Sequence, residues 1–443
     1  MPTRPHTHLL HYSLSPLIRI PLRITFVMLI LILLLHPGYS QTTWKAPRIL
    51  FWYSDNLSPV TGGEDLLSLH YGLGRLEDNY LPPSPWEESG WLGKVGAIGY
   101  RALKINFIDF DLLDFFTAIP QHEIFGHGYR VREFGFDDIS YTFSAPYPYG
   151  KGYGLTEFTY PKTGRTPDQE LAVATAGVEA SAVMADKLRG YWLLAGNMDF
   201  HGALLYITTS GDLRSYLAQT EESKITTDPD LSNDMSNYIL GLNGKVGRSN
   251  PDNFRLHLSR IEKMSNLTYG DPFLWYSWWT VLKTQLWSGE SVFDYPSIPI
   301  GPVHDIPLLG YGLTPWGPEY LFQNMAEFNG RVYSLKGRIG DDTFRKYWGL
   351  DLEGINAVSL AGFDLDIGLH MWKQPRLRLE VDDQGITPSF WGGAISLNLI
   401  SPLLDLPIPI RLAGGGDYKS SGFVPGLNLA SGLAWRIGLN IQL

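Results

Sequence analysis

The sequence predicts an α+β protein in which a mostly helical domain at residues 109–290 precedes an antiparallel β-sheet or small barrel at residues 291–443. Apolar residues recur at helical spacing through most of the region from Asp109 to Ser288. After Ser291 they alternate with polar residues between glycine and proline turns. The 443 residues are 44% hydrophobic and 18% charged, which is typical of a folded chain of two or three domains.

The first forty residues have the features of a secretory signal peptide. Three arginines and no acidic residue precede the apolar run Ile24–Leu35, and Gly38 and Ser40 are small residues of the kind found before a cleavage site. A membrane span needs about 20 apolar residues, so the run is short for one, and an uncleaved signal anchor is the alternative. We expect an exported protein that resides in the cell envelope, in the periplasm or outer membrane, or is secreted.

Short strands and loops are predicted next, followed by helices. Residues 41–108 mix aromatic residues, glycine and proline without a helical period. The tyrosine, glycine and proline content of Tyr141–Tyr160 predicts a β-hairpin or a long irregular loop. Pro167, followed by acidic residues, begins a helix that is expected to end near Gly190. Further helices are predicted at residues 202–222, 230–242, 251–265 and 271–288.

The C-terminal region is expected to contain roughly six to eight antiparallel strands. Its segments include residues 330–340, 355–371, 389–400 and 432–443. In an exported, aromatic-rich chain this pattern is compatible with a small outer-membrane barrel, and equally with a soluble sheet. The aromatic segment 271–288 is expected to be a core helix or one that touches a membrane interface.

Two features of the composition exclude classes of function. The chain has no cysteine, so disulfides, iron–sulfur clusters and cysteine nucleophiles are excluded, and any metal must be bound by histidine and carboxylate. The formal net charge is −10, and the body of the chain has no cluster of lysine and arginine. This balance argues against a nucleic-acid partner.

The most informative motif is HEIFGH, from His122 to His127, which is one residue longer than the HExxH motif of zinc proteases. Residues five apart in a regular helix differ by about 140° around the axis. Both imidazoles can therefore reach one metal only if the turn widens into a π-bulge, a distortion that Gly126 is suited to absorb. In that arrangement His122 and His127 are ligands, and Glu123 can take a proton from metal-bound water.

A third ligand is predicted on the helix that begins at Pro167. Glu179 is the only charged residue in Leu171–Ala185, and a carboxylate in an apolar helix is costly unless it is paired or binds an ion. Gly177 and its small neighbours would let this helix approach the His122 helix closely. We therefore expect the Glu179 oxygens to lie within about 5 Å of both imidazoles. The alternative is a helix whose histidines fill polar gaps in the core.

These residues resemble the metal site of dipeptidyl peptidase III, whose family motif is HExxGH with a glutamate ligand on a following helix. The resemblance covers only residues 122–186 and implies a zincin-like, gluzincin arrangement: His122, His127 and Glu179 bind one zinc ion, and Glu123 is the base. The sequence around Glu179 departs from that family, and this chain is much shorter. The resemblance therefore extends to the site and not to the substrate.

Four further residues are weaker candidates. Tyr129 and His201, like Arg130, could stabilise an oxyanion, although each is more often structural. Asp186 lies two turns from Glu179 and could orient a ligand histidine, or it could form an ion pair with Arg189.

The sequence thus favours an exported zinc-dependent hydrolase, most simply a metallopeptidase that acts on a peptide or protein with metal-activated water. The alternative is an outer-membrane or envelope β-barrel protein whose helical domain is a scaffold and whose metal is structural or absent. Membrane association would then occur through the C-terminal β region.

Overall fold

The computed structural model describes residues 48–54, 56–82, 90–160, 164–221, 225, 233–245, 256–341, 346–379, 389–404 and 409–441. The expected signal peptide, residues 1–40, lies outside the described residues. The fold is α+β, as predicted, with a helical N-terminal region and a large C-terminal antiparallel sheet. None of the helices in the described ranges has both the length and the apolar character that a membrane crossing requires.

The helices begin earlier in the chain than the sequence predicted. Helices α1 (Pro59–Tyr80) and α2 (Gly90–Lys104) occupy most of the described part of the 41–108 segment, so the prediction of strands and loops there is wrong except for strand β1 (Ile49–Tyr53). The glycines that suggested turns lie inside these helices, and several are sites of close packing: a Cβ at Gly62 would lie 2.1 Å from the Phe125 ring.

From α2 the chain continues without a break through a series of helical segments that ends with the histidine motif. A π-helical segment (Ile105–Asp114) leads into α3 (Phe115–His122), a second π-helical turn (Glu123–His127) and α4 (Gly128–Glu133). A hairpin of β2 (Asp137–Ser144) and β3 (Tyr153–Thr159) follows, as predicted.

The remaining helices agree with the predicted positions to within a few residues. They are α5 (Pro167–Ala195), α6 (Phe200–Gln219), α7 (Asp234–Lys245), α8 (Leu258–Ser265) and α9 (Pro272–Trp279), with a short 3₁₀ turn (Asn266–Gly270) before α9 and a π-helical extension (Thr280–Ser288) after it. Helix α5 continues past Gly190 and ends at Gly196, which adopts φ 73°. A left-handed residue of this kind ends a helix most easily when it is glycine.

Within the described ranges the large sheet has ten strands in the order β1-β14-β13-β12-β11-β10-β9-β8-β7-β6, and its edge strands β1 and β6 do not pair with each other. Its C-terminal strands are β6 (Ile298–Ile300), β7 (Val303–Thr314), β8 (Gly317–Phe328), β9 (Arg331–Asp341), β10 (Lys346–Leu360), β11 (Phe363–Pro375), β12 (Ser389–Ile400), β13 (Ile410–Lys419) and β14 (Gly432–Ile441). Two-residue strands β4 (Met198–Asp199) and β5 (Val292–Phe293) pair separately. The sequence was compatible with either an antiparallel sheet or a small barrel. The described strands form a sheet.

The first and last strands of the described residues are neighbours in the sheet. Strand β1 pairs with β14 from Ile49 opposite Ile441 to Tyr53 opposite Ile437. The other edge of β1 contacts α1, where Ser68 Oγ accepts from the Leu50 N–H at 2.7 Å and Asp65 accepts from the Trp52 N–H at 2.6 Å. These side chains provide partners for backbone groups that an edge strand otherwise leaves unpaired.

The inner face of the sheet carries buried charged side chains beside apolar ones, and the outer face is mainly apolar. The inner face packs against α5, where Lys336 of β9 pairs with Asp186, and it carries the buried pair Arg338–Asp351, with Nε–Oδ2 at 2.8 Å. The outer face is exposed. It includes Leu335 and Ile339 of β9, Leu369 and Met371 of β11, Ile395, Leu397 and Leu399 of β12, and Leu433, Trp435, Ile437 and Leu439 of β14.

Candidate metal centre

The histidine motif adopts the widened helix that its spacing predicted. Residues Glu123–His127 form a π-helical turn, which brings two residues five apart onto one face. The Nε2 atoms of His122 and His127 lie 3.1 Å apart. The predicted convergence of the two imidazoles is therefore confirmed.

Two glycines allow the motif to contact α5. A Cβ at Gly126 would lie 2.7 Å from the Ala176 carbonyl oxygen, and a Cβ at Gly177 would lie 2.1 Å from His122 Nε2. Both distances are shorter than side-chain contacts allow. The close approach of the two helices, expected from the small residues around Glu179, therefore requires glycine at both positions.

The third potential ligand is Asp234, the first residue of α7. Its Oδ2 lies 3.3 Å from His122 Nε2 and 3.0 Å from His127 Nε2, and these three side chains offer ligand atoms that all lie within 4.8 Å of one another. Zinc ligands at about 2.0–2.1 Å in a tetrahedral site are about 3.3–3.4 Å from each other. The spacing of the three atoms therefore fits a small divalent cation.

Hydrogen bonds to the far side of each ring favour the tautomer that a metal needs. His127 Nδ1 donates to the Val173 carbonyl oxygen at 2.8 Å, and His122 Nδ1 lies 2.8 Å from Asp212 Oδ2. With the proton on Nδ1, each neutral ring presents an Nε2 lone pair. Two lone pairs and one carboxylate oxygen then face each other, and such a group requires a positive charge between its members.

The electrostatics of the three side chains agree with this requirement. Burial lowers the pKa of His122, but the carboxylates of Asp212 and Asp234 outweigh it and raise that pKa well above the ordinary value. Burial likewise lowers the pKa of His127, and Asp234 raises it overall. Burial raises the pKa of Asp234, but the two imidazoles hold it far below the ordinary range. The site therefore attracts either protons or a cation.

Glu123 lies on the hairpin side of this group. Its Oε2 accepts from the Thr156 hydroxyl of β3 at 2.6 Å. Together with His127, Asp234 and Tyr216, Glu123 lines a cavity of about 600 Å³ between β3, α5 and α7. The Tyr216 hydroxyl lies 3.0 Å from His122 Nε2. Burial, and then the charges of Asp234 and Asp212, raise the pKa of Tyr216, so its hydroxyl stays protonated at neutral pH.

The structure does not bring Glu179, the predicted third ligand, to the imidazoles. Glu179 Oε1 accepts from Arg130 Nη2 at 2.6 Å and from the Gly426 N–H at 2.7 Å. Burial raises the pKa of Glu179, and Arg130 counteracts part of this effect. The reasoning that a buried carboxylate needs a cation was sound, but the cation is a guanidinium. Asp234 occupies the position by the imidazoles that was expected for Glu179.

The weaker candidates also lie outside the centre. The Tyr129 hydroxyl donates to Asn428, and Arg130 pairs with Glu179 and Glu133. Asp186 forms ion pairs with Arg189 and Lys336, in agreement with the structural alternative considered for it. His201 belongs to a different buried cluster with Glu77 and Asp109.

Sequence reasoning missed Asp212, Tyr216 and Asp234. Asp212 and Tyr216 are four residues apart on α6 and therefore share a face, which was a usable signal. Asp234 lies in the first turns of the helix predicted at residues 230–242 and begins the observed α7, where an acidic residue is ordinarily explained by the helix dipole. Its position near the end of α6 depends on the chain between the two helices, which no local pattern reveals.

The comparisons with known proteins add no relative to this picture. No family model, no curated protein and no solved structure matches the chain. The similarity to dipeptidyl peptidase III therefore stays a prediction from the motif at residues 122–127. Any functional assignment depends on the geometry described above.

Proposed function

We propose that this protein is a metal-dependent hydrolase, with zinc as the favoured ion and peptides as substrates. The observation that supports the proposal is the convergence of His122 Nε2, His127 Nε2 and Asp234 Oδ2 at 3.0–3.3 Å, beside Glu123 and at the wall of a cavity. Two imidazoles, one carboxylate and an adjacent glutamate are the donor set of a hydrolytic zinc site.

Each side chain has a defined task in this proposal. Zinc bound here would polarise the scissile carbonyl and lower the pKa of its water toward neutrality. Glu123, oriented by Thr156, would accept a proton from the water that attacks the scissile carbonyl and return it to the leaving amine. The protonated Tyr216 hydroxyl can donate to the oxygen on which negative charge develops. Asp212 keeps the His122 ring in its binding tautomer.

The cavity suits an extended chain. Consecutive residues 154–156 of β3 line it, so this strand presents its edge to the cavity. An exposed strand edge can bind an extended peptide through backbone hydrogen bonds. Opposite β3, the cavity is bordered by Val173 of α5 and by Leu240 of α7. A peptide lying along β3 would pass Glu123 and His127.

Replacement of Glu123 by glutamine tests the proposal directly. In the purified wild type, the His122–His127–Asp234 group should hold close to one equivalent of zinc. The same preparation should cleave denatured casein or a fluorogenic peptide library. The E123Q variant should keep that zinc and lose about 10²- to 10⁴-fold in rate. The control is E157Q, which changes an exposed glutamate on β3. Wild-type turnover in E123Q, or zinc content unaffected by D234A, would refute the proposal.

A second proposal concerns the C-terminal sheet. We propose that its outer face contacts the hydrocarbon region of a membrane. In a soluble sheet the apolar face is buried and the polar face is wet, whereas here Lys336 and Arg338 are buried while Leu335 and Ile339, which flank them in the sequence, are exposed. Strands β7 to β14 are 10–15 residues long, enough to cross a bilayer when tilted.

The apolar surface also extends across the sheet. Exposed apolar side chains recur on each strand from β7 to β14, and a contiguous exposed apolar patch marks an interaction surface. The apolar surface continues beyond β7 onto α9, where the rings of Trp275, Trp278 and Trp279 are exposed. Tryptophan is enriched where membrane meets water. The hydrogen bonds from α1 to β1 supply the partners that the sheet edge would otherwise lack in lipid.

Partitioning into vesicles tests this second proposal. The wild type should need detergent for solubility and insert into phosphatidylethanolamine–phosphatidylglycerol vesicles. L397R, in the outer face, should weaken insertion, because arginine at mid-membrane costs about 2–4 kcal/mol. The control is L81R, because Leu81 is an exposed residue directly after α1. A monodisperse monomer or dimer in detergent-free buffer would refute lipid contact, the dimer indicating that a second copy covers the face.

A further inference from the structure

A second group of potential ligands lies away from the proposed catalytic centre. Glu77 of α1, Asp109 of the first π-helical segment and His201 of α6 offer ligand atoms that all lie within 4.8 Å of one another. All three side chains are buried, with relative exposures of 8%, 1% and 6%. None of them belongs to the set that surrounds His122 and His127.

The carboxylate of Asp109 lacks the hydrogen bonds that burial demands. Neither of its oxygens has a hydrogen-bond partner among the described residues, although the side chain is only 1% exposed. Asp109 points its carboxylate at His201 without bonding to it. A buried carboxylate without a hydrogen-bond partner is strongly unfavourable, so this group is suited to bind a cation.

The separations within the group suit a shared cation better than direct contact. His201 Nδ1 lies 3.6 Å from Asp109 Oδ1, and His201 Nε2 lies 3.5 Å from Glu77 Oε2 and 3.3 Å from Asp78 Oδ1. All three distances exceed a good hydrogen bond. They are close to the separation of about 3.4 Å between two atoms that each bind one divalent ion at about 2.1 Å.

Positive side chains near the group neutralise only part of its charge. Lys104 Nζ lies 2.6 Å from Glu77 Oε1 and 3.8 Å from Asp78 Oδ1, which leaves Glu77 Oε2 facing His201. The charge of Arg75 interacts favourably with the carboxylate of Asp78. Asp114 adds a further carboxylate, with Oδ1 at 3.8 Å from His70 Nε2. Burial raises the pKa of Asp109, as expected for a carboxylate whose counter-ion is incomplete.

We propose that Glu77, Asp109 and His201 bind a second divalent cation, which is structural and independent of the proposed catalytic ion. One imidazole and two carboxylates suit zinc or manganese. The ion would join α1, the π-helical segment and α6. Because Asp109 and His122 lie on the same unbroken helical run, the ion would also hold in place the helix that carries the catalytic motif.

Metal titration of the full chain, after removal of bound metal with a chelator, tests the proposal. With zinc or manganese alone as probe, the wild type should bind two equivalents by calorimetry. H127A and H201Q should each bind one, and H304Q should bind two. His304 is an exposed histidine of β7 outside both groups, which makes it the matched control. Added metal should raise the melting temperature of H127A but leave that of H201Q less affected.

The outcomes separate this inference from the proposed function. One equivalent in the wild type that disappears in H127A and persists in H201Q would overturn the second site and leave the hydrolase proposal intact. One equivalent that disappears in H201Q and persists in H127A would support the second site and overturn the catalytic one. If H201Q fails to fold, D109N serves as the second variant, and two equivalents bound by D109N would also overturn the inference.

Discussion

Asp234 and Glu179 are two acidic side chains near the histidine motif, and they differ in what neutralises them. The side chain of Asp234 is 16% exposed, borders the cavity and faces two imidazoles. The side chain of Glu179 is 2% exposed and bonds to Arg130 and a backbone N–H. Imidazoles can exchange a proton for a metal, whereas the Arg130 guanidinium keeps its charge. Of these two carboxylates, only Asp234 therefore has partners that can exchange a proton for a metal ion.

The largest expected effect comes from removal of Glu179. In E179A, the fully buried Arg130 loses its main partner, and breaking a buried ion pair in this way costs about 3–5 kcal/mol. The free energy of unfolding, measured by urea denaturation, should fall by that amount, while E262A, a change at an exposed helical glutamate, should have little effect. Metal content of the folded protein should be unchanged. If folded E179A loses its metal, the contrast with Asp234 is wrong.

A smaller effect is expected from G177A. The added methyl group would overlap His122 Nε2, so either the ring or α5 must move. Displacement of a reacting group by about 1 Å can reduce the rate about 10²-fold. Hydrolysis and metal affinity should both fall, whereas G211A on α6, where a Cβ meets open space, should behave as wild type. Normal metal affinity in G177A would show that Asp234 and His127 determine binding without His122.

The smallest effect is expected from D212N. The amide can still accept from His122 Nδ1 but no longer supplies a charge. Changes to a group that orients a ligand histidine typically reduce metal affinity about 10- to 100-fold, and the conservative asparagine should lie near the lower value. Competition with a chelating dye measures this, with S215A on the same helix as control. An unchanged affinity would mean that Asp234 alone provides the charge that the metal site needs.

The sequence predicted features that depend on local spacing and missed those that depend on tertiary placement. The five-residue separation of His122 and His127 predicted a π-helical turn, and Gly177 predicted close helix packing. The burial of Glu179 was also foreseen, but not its partner, because Arg130 lies almost fifty residues away on another helix. Helices α1 and α2 were missed because their glycines lie inside helices rather than in turns, and those of α1 at Gly62 and Gly74 serve close packing.

The pairing of β1 with β14 has a consequence for folding. The two strands come from opposite ends of the described residues, so the sheet is complete only when the helices and strands between them have brought them together. Contacts that close so long a loop form late and slowly. Refolding is therefore expected to end in a slow phase, in which a single docking event of β1 against β14 completes the sheet.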